Sequence, residues 1–210
     1  LEGVLFMLEI NPNLHPSNSE SEEHFLLKQV ARAILKTRFH CNIIATEVHT
    51  GNHAYPELKN DYSGYQWSRR KVTDAIGVQN DSRTNNKDLV RNIEVKVSKG
   101  DLKGGYCLSG NYNYILAPKD VVSKDLLFPF VGLIEVNLNN LVWKKDKRSG
   151  MAKDIKGVDI TKNPRKCKYG KHHSYWGSWM NYIKEKIAKN IVNDAVYRNN
   201  WFYPGFDYRK

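Results

Sequence analysis

The chain has 210 residues, with 33 Lys and Arg against 22 Asp and Glu, for a net charge of +11. Its length suits a single domain with a real hydrophobic core, and no apolar run is long enough to span a bilayer, which excludes a membrane-crossing helix. Cys41, Cys107 and Cys167 are too few and too scattered for a disulfide framework, so a reducing cytoplasm is the expected location, and the positive balance favours a polyanionic partner.

Residues 1 to 19 read as an irregular lead-in, of which residues 1 to 6 are expected to be an expression remnant before a start at Met7. LEGVLFMLEI is too short, and lacks the charged start and cleavage pattern, for a secretory signal. SESEEHFLLKQVARAILK predicts an amphipathic helix capped by Ser19 or Ser21, with acids in its first turn. At about 100° per residue, Leu27, Val30, Ile34 and Leu35 share one arc, and Glu23 falls near its middle. A buried acid needs a partner, which a metal site would supply. The other reading leaves Glu23 in an exposed first turn, complementing the helix dipole.

CNIIATEVHTG predicts a strand containing Glu47. The polar stretch HTGNHAYPELKNDYSGYQWSRR follows, either a nucleic-acid-facing loop with stackable rings or a surface excursion without contacts. KVTDAIGV predicts a second strand, QNDSRTNNKD is rich in turn residues, and NIEVKVSKGDL carries a third strand. In that strand Ile93, Val95 and Val97 alternate with Glu94, Lys96 and Ser98. Glu94 and Lys96 are therefore expected side by side on the face away from the core. Antiparallel pairing of the second and third strands would bring Asp74 close to both. Two carboxylates and an ammonium on one edge can bind a hard divalent cation and a phosphate.

Further strands are expected in NYNYILAPKDVV, LLFPFVGLIEV and NLVW. Residues 145 to 173 form a long basic stretch, either an ordered insertion or a flexible DNA-binding loop. Cys167, His172 and His173 lie in it, but a fourth zinc ligand is missing locally. SYWGSWMNYIKEKIAKNIVNDAVYRN predicts a closing helix over about 175–199, with Trp179, Ile183, Ile187 and Ile191 forming a packing stripe.

Asp74 followed by Glu94-Val95-Lys96 resembles the PD-(D/E)xK nuclease superfamily, with Thr73 standing where the nominal pattern has proline. IEVKVSKGDL, NYNYILAPKDVV and FPFVGLIEV are similar in phrasing to the MmcB-like family of DNA-repair-associated proteins. The resemblance covers roughly residues 20 to 137, and its specific part is confined to 70 to 137. It implies an α/β (α+β) fold, with residues 20–210 as one domain built on a restriction-endonuclease-like αβββαβ core. A central mixed sheet would be flanked by helices, with the basic insertion and the closing helix added to it.

The activity so implied is metal-dependent hydrolysis of phosphodiester bonds in DNA, by a repair or phage-type enzyme or a restriction-type one. Asp74, Glu94 and the Val95 carbonyl would hold Mg²⁺, with Mn²⁺ able to substitute. Glu23 or Glu47 would add a second-metal ligand or an outer contact. Lys96 would position the water or the scissile phosphate; an exposed lysine is protonated at neutral pH and does not act as a free base. The expected nucleic-acid-binding residues are Arg69, Arg70, Lys99, Lys103, Lys162, Arg165, Lys166, Lys168 and Lys171. Cutting both strands with one site per chain would call for a homodimer. The alternative is a catalytically silent nucleic-acid-binding module on the same fold.

Overall fold

Ser21 starts the first helix: its hydroxyl accepts the His24 N–H at 3.2 Å, and Glu22 and Glu23 follow where the helix dipole favours acids. Helix α1 spans Glu22–Thr37 and buries Leu27, Val30, Ala31, Ile34 and Leu35 against a sheet. Leu27, Ile34 and Leu35 are fully buried, each worth roughly 1.5–3 kcal/mol over exposure. These features belong to a computed structural model that describes residues 20–50, 72–79, 89–103, 105–145, 152–167 and 181–189.

Strands β1 (Ile43–His49), β2 (Val72–Gln79) and β3 (Leu89–Val95) form an antiparallel meander. A short helix, α2 (Lys99–Lys103), lies on the way to β4 (Tyr112–Pro118), which runs parallel to β3. β5 (Val131–Val136) is parallel to β4. The chain then leaves the sheet for a hairpin, β6 (Val142–Lys145) and β7 (Ala152–Lys156), and returns as β8 (Val158–Lys162), antiparallel to β5. The six-stranded mixed sheet has the order β1-β2-β3-β4-β5-β8. The architecture is α+β. Among the described residues no helix is long and apolar enough to cross a membrane.

Both sheet faces are covered. On one, α1 and Ile155 of β7 pack over Ala75, Ile93, Val95, Leu116 and Ile134. Arg38, just past α1, donates to the Ile155 carbonyl at 2.9 Å and ties the hairpin down. On the other face, helix α3 (residues 181–189) brings Ile183 and Ile187 onto Ala45, Ile76, Val78 and Val90. Beside it, Leu108, Val122 and Leu127 cover Ile115, Val131 and Leu133.

This double cover corrects one expectation: Glu94 and Lys96 are 1% and 0% exposed, not on a solvated face. The basic stretch, over residues 152–167, is ordered as β7, β8 and the segment after them. Of the closing helix, residues 181–189 are helical, and Ile183 and Ile187 are packing residues as expected. Trp179 and Ile191 lie outside the described residues, as do residues 51–71, which hold most of the polar stretch after β1.

The three cysteines are free and buried. Burial pushes the Cys41 thiol up to about 12, so it serves as a packing group. It sits against Gly77 of β2, where an added Cβ would lie 2.7 Å from Cys41 Sγ and 2.9 Å from its Cβ. Gly77→Ala is therefore expected to destabilise the fold by about 1–3 kcal/mol, seen as a lower urea midpoint. An unchanged midpoint would mean that the chain around Cys41 yields freely.

Candidate active site

The sheet opens where the predicted motif falls. Pairing of β2 with β3 begins at Ala75 with Ile93, a register that sets Asp74 opposite Glu94 just beyond the ladder. There a side chain replaces the backbone: Asp74 Oδ2 accepts the Val95 N–H at 2.8 Å. Within a strand, the N–H and C=O of one residue leave on the same side. The Val95 carbonyl thus faces the same gap as Asp74, while the next amide, Lys96 N–H, turns to Leu116 O on β4 at 2.9 Å.

Glu94 is held from three directions. Its carboxyl accepts the Cys107 N–H, feels the charges of Asp74 and Lys96, and lies 2.8 Å from Thr73 Oγ1. The Thr73 hydroxyl also donates to Asn92 Oδ1, and Asn92 is fixed because its Nδ2 donates to the Cys107 carbonyl at 2.6 Å. A hydroxyl has one proton to give. That proton is shared between Asn92 Oδ1 and Glu94 Oε1, and donation to Glu94 favours its charged form. Burial, and then the Asp74 charge, push Glu94 up to about 8, so without a cation it is a neutral acid at ordinary pH. Burial also raises Asp74, against the lowering effects of the Val95 N–H, His24 and Lys96. Below Glu94, Thr50, Cys107 and Ser109 form a buried polar cluster, with Thr50 Oγ1 2.7 Å from Ser109 Oγ and Cys107 Sγ 2.8 Å from the same oxygen.

Lys96 follows β3 directly, and its Nζ lies 3.4 Å from Asp101 Oδ1 in α2. The other wall comes from α1. Glu20, His24 and Lys28 recur at four-residue steps, the spacing that aligns side chains on one helical side. His24 Nδ1 is 2.8 Å from Glu20 Oε1, and its Nε2 is 3.9 Å from Asp74 Oδ2. Lys28 Nζ contacts Glu20 Oε1 and lies 2.5 Å from Glu47 Oε1.

The structure thus brings Asp74, Glu94, Val95 and Lys96 together, with Glu47 alongside through Lys28. Glu23 sits half-buried in the first turn of α1 and is not part of that chain of contacts. Reasoning from sequence missed Glu20, His24, Lys28, Thr73 and Asp101. The four-residue spacing on α1 was available as a signal, but nothing local pointed it at Asp74. Of the expected cationic residues, Lys99, Lys103, Arg165 and Lys166 are exposed. Lys162 is turned inward, donating to the carbonyls of Lys124 at 3.0 Å and Leu127 at 2.5 Å. Arg69, Arg70, Lys168 and Lys171 lie outside the described residues.

Among the described residues, no group of three or more His, Cys, Asp and Glu is arranged to hold a metal ion. Two buried carboxylates facing each other, with a carbonyl at the same gap, still suit Mg²⁺. That ion commonly takes one or two carboxylates and completes its shell with water and substrate phosphate. Burial, and for Glu94 then the Asp74 charge, raises the proton affinity of both carboxylates, so a bound cation would have to displace a proton from Glu94.

No protein-family profile matches the chain, and no curated protein does. Among solved structures, a protein of unknown function from Silicibacter pomeroyi superposes with a TM-score of 0.45 at 13% sequence identity, over 82% of this chain and 92% of that chain.

Proposed function

We propose that the protein is a metal-dependent nuclease that hydrolyses phosphodiester bonds in DNA, with Asp74, Glu94 and Lys96 as its catalytic residues. The observation that carries this reading is the open gap between β2 and β3, where two buried carboxylates face each other beside a buried lysine. The order α1, β1–β2–β3 meander, α2 and parallel β4 supports a restriction-endonuclease-like αβββαβ core. One domain over residues 20–210 is part of the same proposal.

Asp74, Glu94 and the Val95 carbonyl would hold Mg²⁺ or Mn²⁺. The bound ion would lower the pKa of a coordinated water and neutralise charge on the phosphate. Asp74 is positioned by the Val95 amide, and Glu94 by the Cys107 amide and Thr73. Lys96, braced by Asp101, offers a cation fixed in advance where negative charge grows during reaction. Water is restricted on both sides, by α1 and by the segment holding Cys107 and Ser109.

The test is incubation of linear duplex, plasmid, single-stranded and branched DNA with Mg²⁺, Mn²⁺ or chelator. Divalent-dependent cutting of at least one substrate is expected. Salt-sensitive binding with no product on any substrate would instead make the chain a silent binding module.

The exposed cations define a second expectation. Neutralising Lys99, Lys103, Arg165 and Lys166 together should weaken DNA binding and flatten its salt dependence, since each phosphate contact releases counterions. An unchanged salt slope would remove these residues from the interface. Neutralising Lys162 should act on stability instead, because it frees two carbonyls that its ammonium now engages.

A further inference from the structure

Glu47, within β1, has φ 56°, a left-handed backbone that a residue with a Cβ adopts only when its surroundings hold it there. It falls between the paired steps Thr46 with Ala75 and Val48 with Thr73, opposite Asp74. From that position its carboxylate reaches α1, with Lys28 Nζ 2.5 Å from Glu47 Oε1. The same ammonium contacts Glu20 Oε1. Lys28 is only 7% exposed, a placement rare for lysine unless carboxylates surround it. Glu20 also holds His24, whose other ring nitrogen lies 3.9 Å from Asp74 Oδ2. Next to the Asp74–Glu94 gap there is thus a second cation position, lined by carboxylate oxygens from two elements and filled by a side chain.

We propose that Lys28 is a built-in cation standing where a second metal ion would sit, so that the site takes a single divalent ion between Asp74 and Glu94. The inference rests on the metal-site reading above. A divalent ion placed on the Glu20 and Glu47 oxygens would have to share them with an ammonium, and like charges at contact in a buried setting exclude each other. Glu47 is engaged by Lys28 from a left-handed backbone position. The substitution removes a diffusible partner: the second positive charge is always present and always in register with α1.

Mn²⁺ binding to the full chain, followed by electron paramagnetic resonance, tests this. The wild type is expected to bind one ion per chain, lost in Asp74→Asn. Lys28→Met keeps the side-chain length, empties the position of charge and is expected to bind two ions, the second lost on adding Glu47→Gln. Glu47→Gln alone is expected to keep one ion, with affinity within about threefold of wild type. Two ions in the wild type, or a folded Lys28→Met chain that still binds one, overturn the proposal. So does loss of the ion in Glu47→Gln, which would make Glu47 a ligand. If Lys28→Met does not fold, the wild-type count and Glu47→Gln decide. A wild type that binds no ion, or one indifferent to Asp74→Asn, overturns the metal-site reading itself and this inference with it.

Discussion

Alanine at Asp74 or Glu94 is expected to abolish the proposed divalent-dependent cutting, a loss of roughly 10²–10³-fold or more, while DNA binding should stay at the wild-type level or rise. On the proposed reading both carboxylates would lie where phosphate approaches, so removing either one would take away repulsion as well as a metal ligand. Lys96→Ala also abolishes cutting with little loss of metal binding. Because Lys96 is fully buried and faces Asp74, Glu94 and Asp101, alanine there leaves a void and uncompensated acids. Lys96→Met, which keeps the volume, separates catalysis from stability: the chain folds and binds DNA but does not cut. Cutting comparable to wild type by any of these variants would remove the residue concerned from the site. Gel assays with matched circular dichroism melts give both readings.

In chelator, stability is expected to fall as the pH rises from about 5 to about 8, and Mg²⁺ is expected to restore it. The sign follows from Glu94. Unfolded, it releases its proton near the ordinary value of 4.5; folded, it keeps the proton up to about 8. Between these values only the folded chain holds the proton, so stability falls steadily as the pH rises through this window. The contribution is complete below the unfolded value and gone once the folded value is passed. The melting temperature drops across the same window. Glu94→Gln, neutral throughout, loses most of this slope. Asp74 adds a contribution of the same sign. Melting curves of wild type and Glu94→Gln with parallel pH slopes would show that Glu94 carries no extra proton in the folded state.

The strands of the motif are legible because Ile93, Val95 and Val97 alternate with Glu94, Lys96 and Ser98, and a turn-rich loop separates them from β2. Alternation reports which residues share a face; it does not report what covers that face. Glu94 and Lys96 were read as solvated because polar residues usually mark the wet side of a sheet. Here they mark a buried polar site bordered by the segment around Cys107, whose amide holds Glu94 and whose carbonyl holds Asn92. The α1 contribution was obscure for a different reason. Glu23 stands out by its place on the apolar arc, whereas the acid joined to β1 through Lys28 is Glu20, ahead of the cap. Only the β1 position of Glu47 makes Lys28 meaningful, and that contact spans 19 residues. β7 and β8 were missed because KDIKGVDITK is short and half charged, so burial of Ile155 and Val158 leaves little periodic signal.

Connecting segments ordinarily absorb insertions and drift in sequence, but the one between α2 and β4 is denied that freedom. Its Cys107 amide holds Glu94, and its Cys107 carbonyl anchors Asn92. Gly110 is pressed so close to β3 that a Cβ would come within 2.8 Å of the Asn92 nitrogen and 2.9 Å of the Val90 carbonyl. Asn113 then locks Gly110 through paired 2.8 Å bonds to its N–H and carbonyl. A crossover that would otherwise be a spacer has become the floor of the site. Lengthening it by even one residue would shift the alignment of two strands and the posture of an acid at once, which makes it among the least editable stretches of the chain.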